Sequence, residues 1–177
     1  MFVAYPALAQ PAQMPPAQAA FMAGYVCHLQ ADQQWVRTIF LPYFGMHAAW
    51  ADFRQRLYLH NVLRAYLDFR VLESLNGEVR LGLGRVKPQA WLPFVDEVYL
   101  KEWQEFLAEQ LKPGGSVQTV EVFANRQGFS AEAYHQLISA EDEMQRQIFD
   151  FLPKQRLDEF WEMLIDANLN LLNEYLV

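Results

Sequence analysis

Four positions carry residue types that could work together chemically: His28, Asp32, His60 and Arg64. His28 and Asp32 stand four apart in Phe21-Met-Ala-Gly-Tyr-Val-Cys-His-Leu-Gln-Ala-Asp-Gln-Gln-Trp35, a spacing that stacks two side chains on one helical face. At 3.6 residues per turn, Phe21, Tyr25, His28, Asp32 and Trp35 fall within an arc roughly 80° wide, with Gln30, Gln34 and Arg37 on the polar side. An ionised carboxylate turned toward an aromatic face is costly unless something meets it. The spacing therefore predicts an inward Asp32 met by a metal ion, an arginine or a hydrogen-bonding network.

His60 reads as a second inward histidine. With His28 and Asp32 it would complete a two-histidine, one-carboxylate set with a vacant position for water, the ligand count of a catalytic zinc centre. The competing arrangement is a salt bridge from Asp32 to Arg64, with His28 and Asp68 completing a buried polar network between two helices. His47 and His135 have no partner at ligand spacing. Glu141-Asp-Glu143 splays around a helix and reads as a solvated face. Cys27 has no electropositive setting, and no serine sits in a nucleophile elbow.

Those residues must be positioned by a chain of 177 residues, of which 53% are apolar and 15% aromatic. That supply is enough for a substantial core in a single domain. The net charge of −7 is uneven: residues 1–96 carry eight Lys/Arg and six Asp/Glu, whereas residues 97–177 carry six and fifteen. An acidic chain without a basic stripe is a poor nucleic-acid binder. A small phosphorylated ligand or lipid head group near the N-terminal half is compatible with the balance. No apolar run reaches membrane-span length, and the N-terminus lacks the positive region of a signal peptide. The chain is expected to be cytoplasmic.

The pattern predicts an all-α fold, a single multi-helix domain around two long buried helices. After an irregular lead over 1–16, a first helix is expected from about residue 17 to the segment before Pro42. A second should run from about His47 to Leu75, closed by Asn76-Gly77, with both faces apolar. Residues 77–96 read as a long basic connection (Arg80, Arg85, Lys87), with a short hairpin from Val79 to Val86 as an alternative within it. Its Gly82-Leu-Gly84 has no third glycine at nucleotide-fold spacing and is not a phosphate cradle. Four further helices are expected: about 96–111, stopped by Pro113-Gly-Gly115; one after Ser116 ending at Gly128, with strand as the alternative; one capped by Ser130; and one begun by Pro153.

Ala20 to Trp35, followed by Phe40-Leu-Pro-Tyr-Phe-Gly45, resembles the helix that carries the His-x-x-x-Asp signature in the zinc-dependent phospholipase C family. His60-Asn-Val-Leu-Arg-Ala-Tyr-Leu-Asp68 resembles the next helix of bacterial members grouped with it. The likeness covers roughly residues 5–70 and rests on a degenerate motif. It implies an all-α, phospholipase C-like fold and hydrolysis of phosphoester bonds at a cluster of zinc ions, with His28 and Asp32 at ligand positions.

The chain departs from that family in its donors. No histidine precedes His28, whereas the family uses an N-terminal amino group and upstream ligands. Its later His-x-x-x-Glu is here His60-Asn-Val-Leu-Arg64, a cation where a carboxylate ligand belongs. The expectation is at most one zinc, in a shortened or diverged member or one lacking an N-terminal segment. As an enzyme it would be a metal-dependent phosphoester hydrolase: His28 and Asp32 as ligands, His60 as third ligand or general base, Arg64 as the phosphate's charge partner. The alternative is a non-catalytic helical scaffold or interaction domain, with a His/Asp/Arg network in place of the metal centre.

Overall fold

The computed structural model describes residues 1–75, 77–112 and 118–176, and their regular structure is all helical, with no β-strand among them. Asn76 of the expected turn, the expected stop at 113–115 and Ser116 lie outside the described residues. The chain clusters into two compact units, Met1–Arg56 with Phe149–Val177, and Leu57–Ile148. The all-α expectation is met; the phospholipase C-like arrangement is a separate matter.

In the first unit the lead is not wholly irregular, since Pro6–Ala9 and Pro11–Gln13 form short 3-10 turns that bury Leu8. Pro16 opens helix α1 (Pro16–Trp35), where its missing N–H costs nothing and its fixed φ suits the first turn. The helix does not stop before Pro42: Val36–Phe44 continues it in wider π turns with Pro42 inside. A proline ring collides with the carbonyl four residues back in an α-helix, and a widened turn relieves that collision. Thr38 helps by donating its hydroxyl to the Gln34 carbonyl at 2.8 Å, diverting one α-type acceptor.

The last helix, α8 (Lys154–Leu176), packs along α1. Trp35 meets Phe160 edge-on at 5.3 Å between ring centroids, Phe2 stacks on Tyr175, and the Tyr175 hydroxyl donates to the Leu8 carbonyl at 2.8 Å. Met22, Ala23 and Val26 are the buried residues of α1, and Leu157, Phe160 and Leu164 are buried on α8. Small residues let two helices approach closely, so they take the inner position and the bulky Phe21 and Tyr25 are only half-buried.

The second long helix, α2 (Phe53–Ser74), starts six residues later than expected. Asp52 supplies its N-cap, its Oδ1 accepting from the Gln55 N–H at 2.9 Å. The preceding loop 45–52 is tied down by side chains. Trp50 stacks on Phe151 at 4.3 Å and donates its indole N–H to the Tyr43 carbonyl at 2.6 Å. Arg56, buried to 4% exposure, donates to the carbonyls of Trp50, Ala51 and Met46.

In the second unit, α2 continues through the buried Leu59, His60, Val62, Leu63 and Ala65. Residues 77–85 form helix α3 (Gly77–Arg85) in place of the expected connection or hairpin, and it packs on α4 (Glu97–Leu111). The segment is helical despite its glycines, with Val79 and Leu83 one turn apart. Helix α5 (Thr119–Gln127) takes the helical alternative and ends at Gly128, whose φ of 70° is the left-handed conformation glycine adopts freely. Ser130 then caps α6 (Ala131–Ser139) through the Ala133 N–H. The one-turn α7 (Glu141–Met144) runs on into Gln145–Phe149. Val120, Phe123, Ala124, Tyr134, Leu137, Met144 and Ile148 supply the buried apolar surface.

Candidate functional site

Helix α1 carries His28 and Asp32 as neighbours, their Nε2 and Oδ2 atoms 3.3 Å apart. They lie on the solvent side, with the two side chains 65% and 66% exposed. The inward orientation expected for Asp32 is therefore corrected. The aromatic arc is not the core face of α1: its buried residues are Met22, Ala23 and Val26, roughly 100–200° round the helix from Phe21. An exposed pair four residues apart is worth about 0.5 kcal/mol at most and has no desolvation cost to repay. Beside it, Asp32, Gln33, Val36 and Arg37 line only a wide, shallow depression.

His60 sits in a different setting, 9% exposed within α2. Burial, reinforced by the nearby positive charge of Arg64, pulls its pKa down from 6.5 to about 3. The ring is thus neutral across the physiological range. A base that weak captures protons poorly near pH 7, and a general base works best with a pKa near the working pH. Arg64 reaches outward, its guanidinium 4.6 Å from the centroid of the Phe123 ring, a cation–π geometry. Asp68, one turn on, is pushed up by desolvation and held back by a hydrogen bond from Thr119 and by the Arg64 charge. Water still reaches much of Asp68, so the energetic weight of that push is small. His60, Arg64 and Asp68 thus follow one another at one-turn intervals along α2; in the same unit the Tyr134 hydroxyl donates to the Gln127 side chain at 2.9 Å.

A zinc centre needs three protein donors converging about 2.0–2.2 Å from one ion. Among the described residues no three His, Cys, Asp or Glu side chains are grouped to hold a metal ion. Of the donors expected for zinc, His28 and Asp32 are neighbours on α1, and His60 lies on α2 in the second unit. Cys27, whose pKa burial raises, adds no thiolate.

A second concavity of about 810 Å³ lies between residues 84–89 and α4. Its wall alternates Lys87 and Lys101 with Glu97 and Glu105. This gives no net positive basin for a phosphorylated molecule.

Sequence reasoning missed two features. Arg56 was passed over because nothing in the pattern marks a cation as caged by main-chain carbonyls. The outer face of α8 carries no local mark in the sequence that separates it from the buried one. Leu157, Phe160, Leu164 and Tyr175 are indeed buried, but Trp161, Ile165, Leu169 and Leu176 are exposed, Ile165 and Leu169 by 57% and 55%. No helix is long and apolar enough to cross a membrane among the described residues.

No known protein family, curated protein or solved structure matches the chain.

Proposed function

We propose that this chain is a helical interaction module without catalytic activity, whose working surface is apolar helix face and not a metal centre. The observation that supports this reading is the two-sided apolar character of α8, buried on one side and open to solvent on the other. A contiguous exposed apolar stripe is uncommon on a protein that acts alone and marks a place where another surface docks. The exposed His28–Asp32 pair and the neutral, enclosed His60 also support it. In this reading the His60, Arg64 and Asp68 row is structural: it fixes α2 against α5 and holds the second unit in one arrangement.

The test is a comparison of thermal unfolding with and without chelator, alongside hydrolysis of a generic phosphodiester in the presence of zinc. The expected results are an unchanged midpoint and no turnover above that of the heat-denatured protein. Turnover that disappears in both Asp32→Ala and His60→Ala would overturn the reading.

A further inference from the structure

The concavity between residues 84–89 and α4 has walls that are tied together. The Gln104 side-chain amide, part of its lining, donates to the Leu83 carbonyl at 2.6 Å and so joins the end of α3 to α4. Just beyond residue 89 the chain is anchored by Trp91 and Leu92, both buried. The volume of about 810 Å³ falls within the range of ligand sites, roughly 300–1,000 Å³.

The charges of the lining are unusual in being left over. On α4, Glu97, Lys101 and Glu105 follow one another at one-turn intervals, drifting only about 80° round the helix in all. Lys87 stands on the other wall. Carboxylates and ammoniums one turn apart on an exposed helix ordinarily draw together. Here none of these four takes an ion pair among the described residues, whereas Glu109 and Lys112, at the same concavity, pair with each other. Val86, Pro88 and Ala108 add an apolar part to the lining.

Two cations and two carboxylates set terms for an occupant. A simple anion answers Lys87 and Lys101 but meets repulsion from Glu97 and Glu105, and a simple cation meets the reverse. A molecule with an ammonium at one end and a carboxylate at the other answers both, in the mode that captures free chain termini. Spacing narrows the class. Lys101 stands one turn, about 6 Å along the axis, from Glu97 and from Glu105. A free amino acid carries both charges on one α-carbon, whereas each added residue parts them by about 3.5 Å.

We propose that this concavity binds a short free peptide of about two or three residues, its carboxylate between Lys87 and Lys101, its ammonium at Glu97 or Glu105, and its side chains on Val86, Pro88 and Ala108. The site lies in the second unit and α8 in the first, so failure here leaves the interaction-module reading untouched.

The experiment titrates the full chain with the tripeptide alanyl-leucyl-alanine and follows backbone amide resonances by NMR. Three comparison ligands are its N-acetylated form, its C-terminal amide and free leucine. Circular dichroism verifies that each variant folds. The free tripeptide is expected to bind at least about tenfold more tightly than any of the three, with shifts confined to residues 84–89 and α4. Lys87→Gln should weaken the free tripeptide by several-fold and leave binding of the amide, which has no carboxylate, unchanged. The double variant Glu97→Gln, Glu105→Gln should weaken the free tripeptide and spare the N-acetylated form. Equal binding of the free and blocked peptides would overturn the proposal, as would free leucine binding as tightly as the tripeptide. Absence of saturable shifts at residues 84–89 and α4 would overturn it outright.

Discussion

The Nε2 of His28 lies 3.3 Å from the Oδ2 of Asp32 on a part of α1 where both side chains face water. Residue types and spacing there are those of a metal-binding helix; the burial is that of an ordinary surface pair. His28→Ala and Asp32→Ala should each change unfolding free energy by no more than about 0.5 kcal/mol. Urea denaturation of the two variants checks this, and a loss several times larger would mean that Asp32 meets a partner inside the protein.

His60 makes a pH prediction of definite sign. Its pKa is 6.5 when unfolded and about 3 when folded, so the unfolded chain binds more protons between those values. Its contribution is complete above pH 6.5 and is lost as pH falls toward about 3, amounting to about 2 kcal/mol by pH 5. Asp68 works in the opposite sense: its raised pKa favours folding at low pH and that gain fades as pH rises through its folded value. His60→Gln should therefore flatten the decline in stability between pH 7 and pH 5, whatever it does to stability at pH 7. An unchanged slope in urea titrations at the two pH values would contradict the assignment.

Arg56 holds the loop before α2 by donating to three carbonyls, while its Nε has no partner. Truncation leaves those acceptors unsatisfied and a void where the side chain lay. Arg56→Ala is expected to cost about 2–4 kcal/mol, and Arg56→Lys to restore only part of it because an ammonium cannot span the same fork. The loop's Ala51, at a φ of 49°, is the strained point that this fork keeps in place.

Two glycines should respond in opposite directions to the same substitution. A Cβ on Gly45 would sit 2.6 Å from the Leu41 carbonyl oxygen, a main-chain atom that cannot swing aside. Gly45→Ala should cost about 1–3 kcal/mol. Gly24 lies in the exposed interior of α1 with nothing within 4 Å of the same position, so Gly24→Ala should gain about 0.5–1 kcal/mol. Thermal melts of the pair provide the check.

Local chemistry was the legible part of the fold. Ser130 as a cap and Gly128 as a helix end each follow from one residue's own conformational needs, and each is found where expected. The start of α2 was misplaced because Asp52 competes with earlier candidates only once Arg56 has folded the loop back. Residues 77–85 read as part of a connection because three glycines and two arginines outweigh a short apolar repeat. The inner face of α1 was misassigned for a more general reason. Hydropathy ranks Phe21, Tyr25 and Trp35 above Ala23, whereas the distance between packed helices rewards the smaller side chain. Which apolar side of α8 stays open depends on what α1 covers, and that is a tertiary fact with no local signature.

Calorimetric titration of the native full-length chain with zinc tests the absence of a metal centre most directly. The account predicts no saturable one-to-one binding, and the same featureless trace for wild type, Asp32→Ala and His60→Ala. A single tight site of one ion per chain, abolished by both substitutions, would contradict it.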